Sequence, residues 1–94
     1  MRIIWSKTTI ANLVGIRQYI ERDDPAAARQ LSQRILASVE RIAERSHLGH
    51  SGREPESREL IVAGTPYIIP YRIHRDRIAI LAVIHGAQDR PEEQ

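Results

Sequence analysis

The sequence predicts an α+β domain, a helix hairpin packed on one face of a small, mainly antiparallel four-stranded sheet in the order β-α-α-β-β-β. Three observations predict it. Apolar residues recur at helical spacing from Ile10 to Ile42, interrupted only by "DDP" at 23–25. Three strand-like runs then follow in close succession over 58–85. A short strand-like run, "MRIIWS", opens the chain.

Each element has its own signals. The first helix begins after Ser6 or Thr8, either of which can cap it. Ile10, Leu13, Val14, Ile16 and Ile20 fall in one arc of the helical wheel, and the helix ends near Asp23. The second opens with Asp24 as N-cap and Pro25 at its first position. Its apolar stripe is Ala28, Leu31, Ile35, Val39 and Ile42, flanked by Leu36 and Ala43, with Arg29, Arg34, Arg41 and Arg45 outside it. So short a connection makes an antiparallel hairpin. "SHLGHSGREPES", 46–57, is the one long loop.

The three strands are "RELIVA" (58–63), "PYIIPYRI" (66–73) and "IAILAVIH" (78–85), joined by tight turns at Gly64-Thr65 and "HRDR" into an antiparallel meander. These turns pair residues whose numbers sum to 129 across the first and 151 across the second. One face then carries Leu60, Val62, Tyr67, Ile69, Tyr71, Ile73, Ile78, Ile80 and Ile84, and must meet the helices. Leu31, Ile35, Val39, Leu60, Ile69, Tyr71 and Ile80 are the expected core. The opposite face carries Glu59, Ile61, Ala63, Pro66, Ile68, Pro70, Arg72, Leu81, Val83 and His85. It is half aliphatic, with no second helical layer to cover it, so it is expected to bind a partner. Pro70 is awkward in a middle strand because it has no N–H, and a local bulge is expected there.

The chain has 94 residues, room for a single domain (1–94) whose tail after about residue 86 is polar. Without cysteine there is no disulfide framework, thiol chemistry or Cys-type zinc site. The longest apolar run, "IAILAVI", is too short to span a bilayer, and no charged-then-apolar leader is visible, so a cytoplasmic protein without a membrane partner is expected. Of the 14 basic residues only Lys7 is lysine, and the net charge is +2. Arginine's planar fork suits an acidic protein or a nucleic acid, but so small a net charge argues weakly for the latter. His47 and His50 in "HLGH" lack a third ligand near in sequence, so no metal is expected.

The order of elements, with "PAAARQLSQRILASVERIAE", "SRELIVAGTPYIIPYRI" and "IAILAVIHGAQDRP", resembles the RelE/ParE superfamily of toxins from bacterial type II toxin–antitoxin systems. The likeness covers nearly the whole chain and rests on the order and spacing of its motifs. It implies a growth inhibitor of plasmid-stabilisation type, held silent by an adjacently encoded acidic antitoxin, in a complex that can be a heterotetramer. No cofactor is implied.

Two branches stay open. The RelE branch cleaves mRNA on the ribosome. Its phosphate-holding arginine falls here on Ile68, its paired basic residues on Glu59 and Ile61, and its last arginine near Gln88. Cleavage by 2′-OH attack needs proton transfer and cations for the phosphate. The residues left as catalytic candidates are His85, Arg72 and Arg58; His85 can equally be a structural histidine, and Arg58 a partner for a helix or terminal carboxylate. The ParE branch inhibits DNA gyrase by binding, with no catalytic residues, and its resemblance is the closer one, through "PYRI", "AILAVIH" and the missing cations. Arg53 and Gln88 are the candidate target contacts. Ile61, Ile68, Leu81 and Val83 are the candidate antitoxin contacts.

Overall fold

The computed structural model describes residues 1–86. β1 (Arg2–Trp5) leads directly into α1 (Lys7–Glu21), and α2 (Pro25–Glu44) follows after a three-residue connection. Ser6 caps α1, its hydroxyl accepting from the Thr9 N–H at 2.9 Å. Asp24 caps α2 in the same way, accepting from the Ala27 N–H at 3.0 Å, with Pro25 in the first turn. The caps are local chemistry and fall where the sequence puts them.

The sheet is mixed. β3 (Ser57–Ile61), β4 (Tyr67–Ile73) and β5 (Arg77–Ile80) form the meander, and β1 lies parallel to β5 at one edge. A two-residue strand, β2 (His50–Ser51), adds to β3 at the other edge, giving the order β1-β5-β4-β3-β2. β6 (Ile84–His85) pairs with the opposite end of β4. The sheet thus has six strands where four were expected. The long loop contributes β2, and the run 78–85 is broken at 81–83.

The break explains Pro70. Leu60 pairs with Ile69 and Tyr71 with Ile80, in the sums of 129 and 151 that the turns dictate. Val62 N–H donates to Tyr67 C=O at 2.9 Å, so residues 62 and 67 are a hydrogen-bonded pair. Alternation makes Glu59 and Pro70 a non-bonded pair. The proline's amide edge therefore faces away from β3, where its missing N–H breaks no bond. On the other side its carbonyl accepts from Leu81 N–H at 2.9 Å, while the Leu81 carbonyl, with no proline N–H to meet, accepts from Ser6 Oγ at 3.1 Å. Beyond this point the strand holds one residue more than β4, since Ile68 pairs with Ile84 and Tyr67 with His85, a sum of 152. This is a β-bulge.

One inserted residue reverses the faces. Ile84, expected in the core, lies opposite Ile68 on the outer face, whereas His85 lies beside core-packed Tyr67. Val83, expected outside, is 2% exposed in the core. α1 secures the bulge with Ser6, Thr9 and Asn12. Buried Thr9 donates its hydroxyl to Ile80 C=O at 3.1 Å, and Asn12 Oδ1 accepts from Val83 N–H at 3.1 Å. The Ser6 and Thr9 hydroxyls lie 2.7 Å apart, so their two protons serve either the two strand carbonyls or one carbonyl and the bond between the hydroxyls. This polar row turns α1: Thr9 is buried, while Ile10 and Val14, expected in the apolar arc, are solvent-exposed. Ser6→Ala removes the helix cap and the donor for Leu81 together. It is expected to cost about 1–2 kcal/mol, read as a fall in melting temperature of roughly 4–8 °C per kcal/mol.

The core lies between the hairpin and the inner sheet face. Leu31, Ile35, Val39, Ile42, Val62, Ile69, Tyr71, Ile78 and Ile80 are buried in one cluster with Val83, and Leu60 packs against it half-buried.

Candidate functional site

The outer sheet face is built by alternation from Ser57, Glu59 and Ile61 on β3, Ile68, Pro70 and Arg72 on β4, Arg77 and Ala79 on β5, and Arg2 and Ile4 on β1. Part of it is covered from within the chain. Residues 52–56 fold back over β3, closed by Gly52 N–H to Ser57 C=O at 2.8 Å and by Ser57 Oγ to Glu54 C=O at 2.8 Å. Arg53 N–H donates to Glu59 Oε2 at 3.4 Å, and Arg72 Nη2 to Pro55 C=O at 3.4 Å. Ser57 and Glu59 are buried as a result.

This changes the expected antitoxin surface. Ile61 is 55% exposed and Leu81 half-buried, so both remain available. Ile68 is buried at 9%, and Val83 belongs to the core. Neither presents the open side chain that alternation alone predicts.

The three catalytic candidates are separated. Arg58 stands on the inner side, opposite Tyr71, and donates to the Gly49 carbonyl at 2.6 Å and the His47 carbonyl at 3.4 Å. It holds the long loop through backbone carbonyls where a carboxylate partner was expected. Arg72 is on the outer face, opposite Ala79. His85 is beside Tyr67, with ring centroids 5.5 Å apart in an edge contact. Tyr67 and Arg72 are five residues apart on β4, about 17 Å at strand rise. His85 and Arg72 thus lie on opposite faces as well as far apart, so a phosphate held by one is out of reach of the other. Of the target candidates, Arg53 sits in the fold-back at 52–56, and Gln88 lies outside the described residues.

Two histidines of the long loop make local contacts, His50 Nδ1 with Ser51 C=O at 2.9 Å and His47 Nδ1 with Ser46 Oγ at 3.4 Å. Among the described residues no three His, Asp or Glu side chains gather where they can hold a metal ion. The loop is anchored by Tyr71 instead. Its fully buried phenol donates to Ser46 C=O at 2.8 Å and accepts from Gly49 N–H at 2.8 Å.

Two surfaces escaped sequence reasoning. One is a shallow apolar cleft between the helices, lined by Leu13, Val14, Arg17, Ser32, Ile35 and Leu36, with exposed Ile10 nearby in sequence. The other is an arginine corner, because the β1–β5 register sets Arg2 directly opposite Arg77. A turn or spacing signal for that pair does not exist; it requires knowing where β1 docks.

The comparisons with known proteins agree with this architecture. The chain is 24% identical to a solved chain of the chromosomal ParDE TA system from P. aeruginosa, with a TM-score of 0.81 over 90% of this chain and 95% of that one. That likeness is one of fold. The chain is 45% identical to the candidate toxin Y4kP of Sinorhizobium fredii, covering 97% of this chain and 94% of that protein. It is 29% identical to Toxin RelE2 of Caulobacter vibrioides, over 93% and 97% of the two chains. The family model for the ParE toxin of type II toxin–antitoxin systems, parDE, matches residues 3–90. The chain belongs to the ParE toxin family of type II toxin–antitoxin systems.

Proposed function

We propose that this toxin arrests growth in the cytoplasm by binding DNA gyrase, and that a cognate antitoxin silences it through the outer sheet face around Ile61 and Leu81. Family membership implies the antitoxin; gyrase as target and the contact residues are the reading advanced here. The observation that carries the binding mechanism is the separation of His85, Arg72 and Arg58 on two faces of the sheet. General acid–base cleavage of RNA needs proton-transfer groups and a phosphate-holding cation within hydrogen-bond reach of one nucleotide. Ile68 adds to this: it occupies the β4 position where the resembling nucleases carry a cation, and it is buried.

The test pairs wild type with His85→Ala. Both are expected to inhibit supercoiling by purified gyrase, within about threefold of each other, and both are expected to arrest growth when induced without an antitoxin. Cleavage of ribosome-bound mRNA by the wild type, lost in His85→Ala and with supercoiling untouched, would establish the nuclease reading in its place.

A further inference from the structure

The arginine corner gathers like charges at one end of the outer sheet face. Arg2 and Arg77 are Cα partners on adjacent strands with side chains on the outer face, an arrangement of like charges that weakens a sheet. Arg72 projects from the same face, one strand across from Ala79, and Arg75 stands exposed in the turn before β5. The one carboxylate in that turn, Asp76, pairs with Arg77 at 3.0 Å. Its carboxyl is held below the ordinary value, chiefly by the hydrogen bond from Arg77 and to a lesser extent by the charges of Arg77 and Arg2. Among the described residues, these four arginines share one end of the sheet with a single turn aspartate. Asp76 takes its hydrogen bond from Arg77, while Arg2 acts on it through charge alone.

The same face continues into apolar surface. Ile4, 38% exposed, lies beside Ala79 in the next row, with half-buried Leu81 further along. The described aromatic residues are elsewhere: Trp5, Tyr67 and Tyr71 pack at the core, and Tyr19 is on α1. A cation cluster without a stacking platform suits a nucleic acid poorly, since single strands bind by stacking bases on aromatic rings. Cations grading into aliphatic side chains suit a polypeptide with acidic and apolar residues.

We propose that the outer sheet face at the β1–β5 end, centred on Arg2, Arg77 and Arg72 and continuing over Ile4 and Ala79, docks an acidic, partly apolar segment of the antitoxin. This rests on the toxin reading for the identity of the partner, and what it adds is the place on the sheet, set by the β1–β5 register. The four cations steer the acidic segment in, and Ile4 and Ala79 receive its apolar residues.

The test uses a synthetic 12-residue peptide alternating Asp and Leu, and a 12-nucleotide single-stranded RNA, each titrated against three folded proteins checked by circular dichroism. These are the wild type, Arg2→Gln/Arg77→Gln, and a control, Arg29→Gln/Arg41→Gln, on α2. Glutamine preserves the side-chain stem, so the sheet is retained. Peptide affinity is expected to fall about tenfold in the corner variant, to be unchanged in the α2 control, and to weaken with added salt. Equal loss in both variants, absence of peptide binding to the wild type, or tighter binding of the RNA through the corner would each overturn the proposal. Growth arrest on inducing the wild type alone is scored separately: its absence defeats the toxin reading, and its presence beside a failed titration defeats only this surface.

Discussion

Ile69→Ala is expected to remove about 3–4 kcal/mol of folding stability, against a total of roughly 5–10 kcal/mol for a domain of this size. Ile69 is at 0% exposure in the middle of β4, the strand that every turn of the meander leads to or from. Its side chain points at the helices, so truncation costs the transfer energy of the lost methylenes and leaves a cavity that β4, held on both sides by neighbouring strands, cannot collapse to fill. Denaturation by urea reads the effect as a lower midpoint at unchanged slope. The matched control is Ile61→Ala. That residue has the same chemistry but is 55% exposed on the opposite face of β3, so a change within about 0.5 kcal/mol is expected. Equal losses at the two sites would mean that the faces are assigned wrongly.

Gly49→Ala is expected to be nearly as damaging, for a different reason. A methyl group at this position would lie 2.8 Å from the Glu59 carbonyl oxygen, 2.8 Å from the Tyr71 hydroxyl and 2.9 Å from Tyr71 Cε1. The first is strand backbone and the others belong to a fully buried ring, so neither neighbour can swing aside as a surface side chain would. Overpacking costs about 1–3 kcal/mol. Displacing the loop also forfeits the bond from Gly49 N–H to Tyr71 and strands a buried donor, for about another 1–2 kcal/mol. Tyr71→Phe isolates the second part. It leaves the ring in place but unpairs Gly49 N–H and Ser46 C=O, at about 1–2 kcal/mol. The double variant is expected to lose less than the sum of the singles, because the two residues hold one contact. Melting curves of the three proteins provide the check, and strict additivity would show that Tyr71 does not anchor the loop.

Much of the architecture was legible because it follows from local chemistry. Asp24-Pro25 marks the start of α2 through its capping oxygen and preset φ. Gly64, at φ 76°, turns β3 into β4 in a conformation that favours glycine. The turn residues also set the pairing sums, which hold over β3, β4 and β5. The candidate site was less legible. Four outer-face aliphatics were named by counting alternate positions, and only Ile61 and Leu81 keep the openness that made them candidates.

By itself, then, the sequence determined the two helices, the cap of α2, and the meander of β3, β4 and β5 with its register as far as Ile80, since each depends on residues a few positions apart. Tertiary structure decided the rest. Alternation is reliable only while no residue is inserted. The insertion after Leu81 arises where Pro70 offers no N–H and where Ser6, Thr9 and Asn12, more than 70 positions away from the strand they hold, supply the missing bonds. That one residue sent Val83 into the core and His85 to the inner face. The docking of β1 against β5 is equally non-local, and it alone brought Arg2 to face Arg77. Side-chain period is a property of a strand, whereas register across the chain belongs to whichever distant groups satisfy its hydrogen bonds.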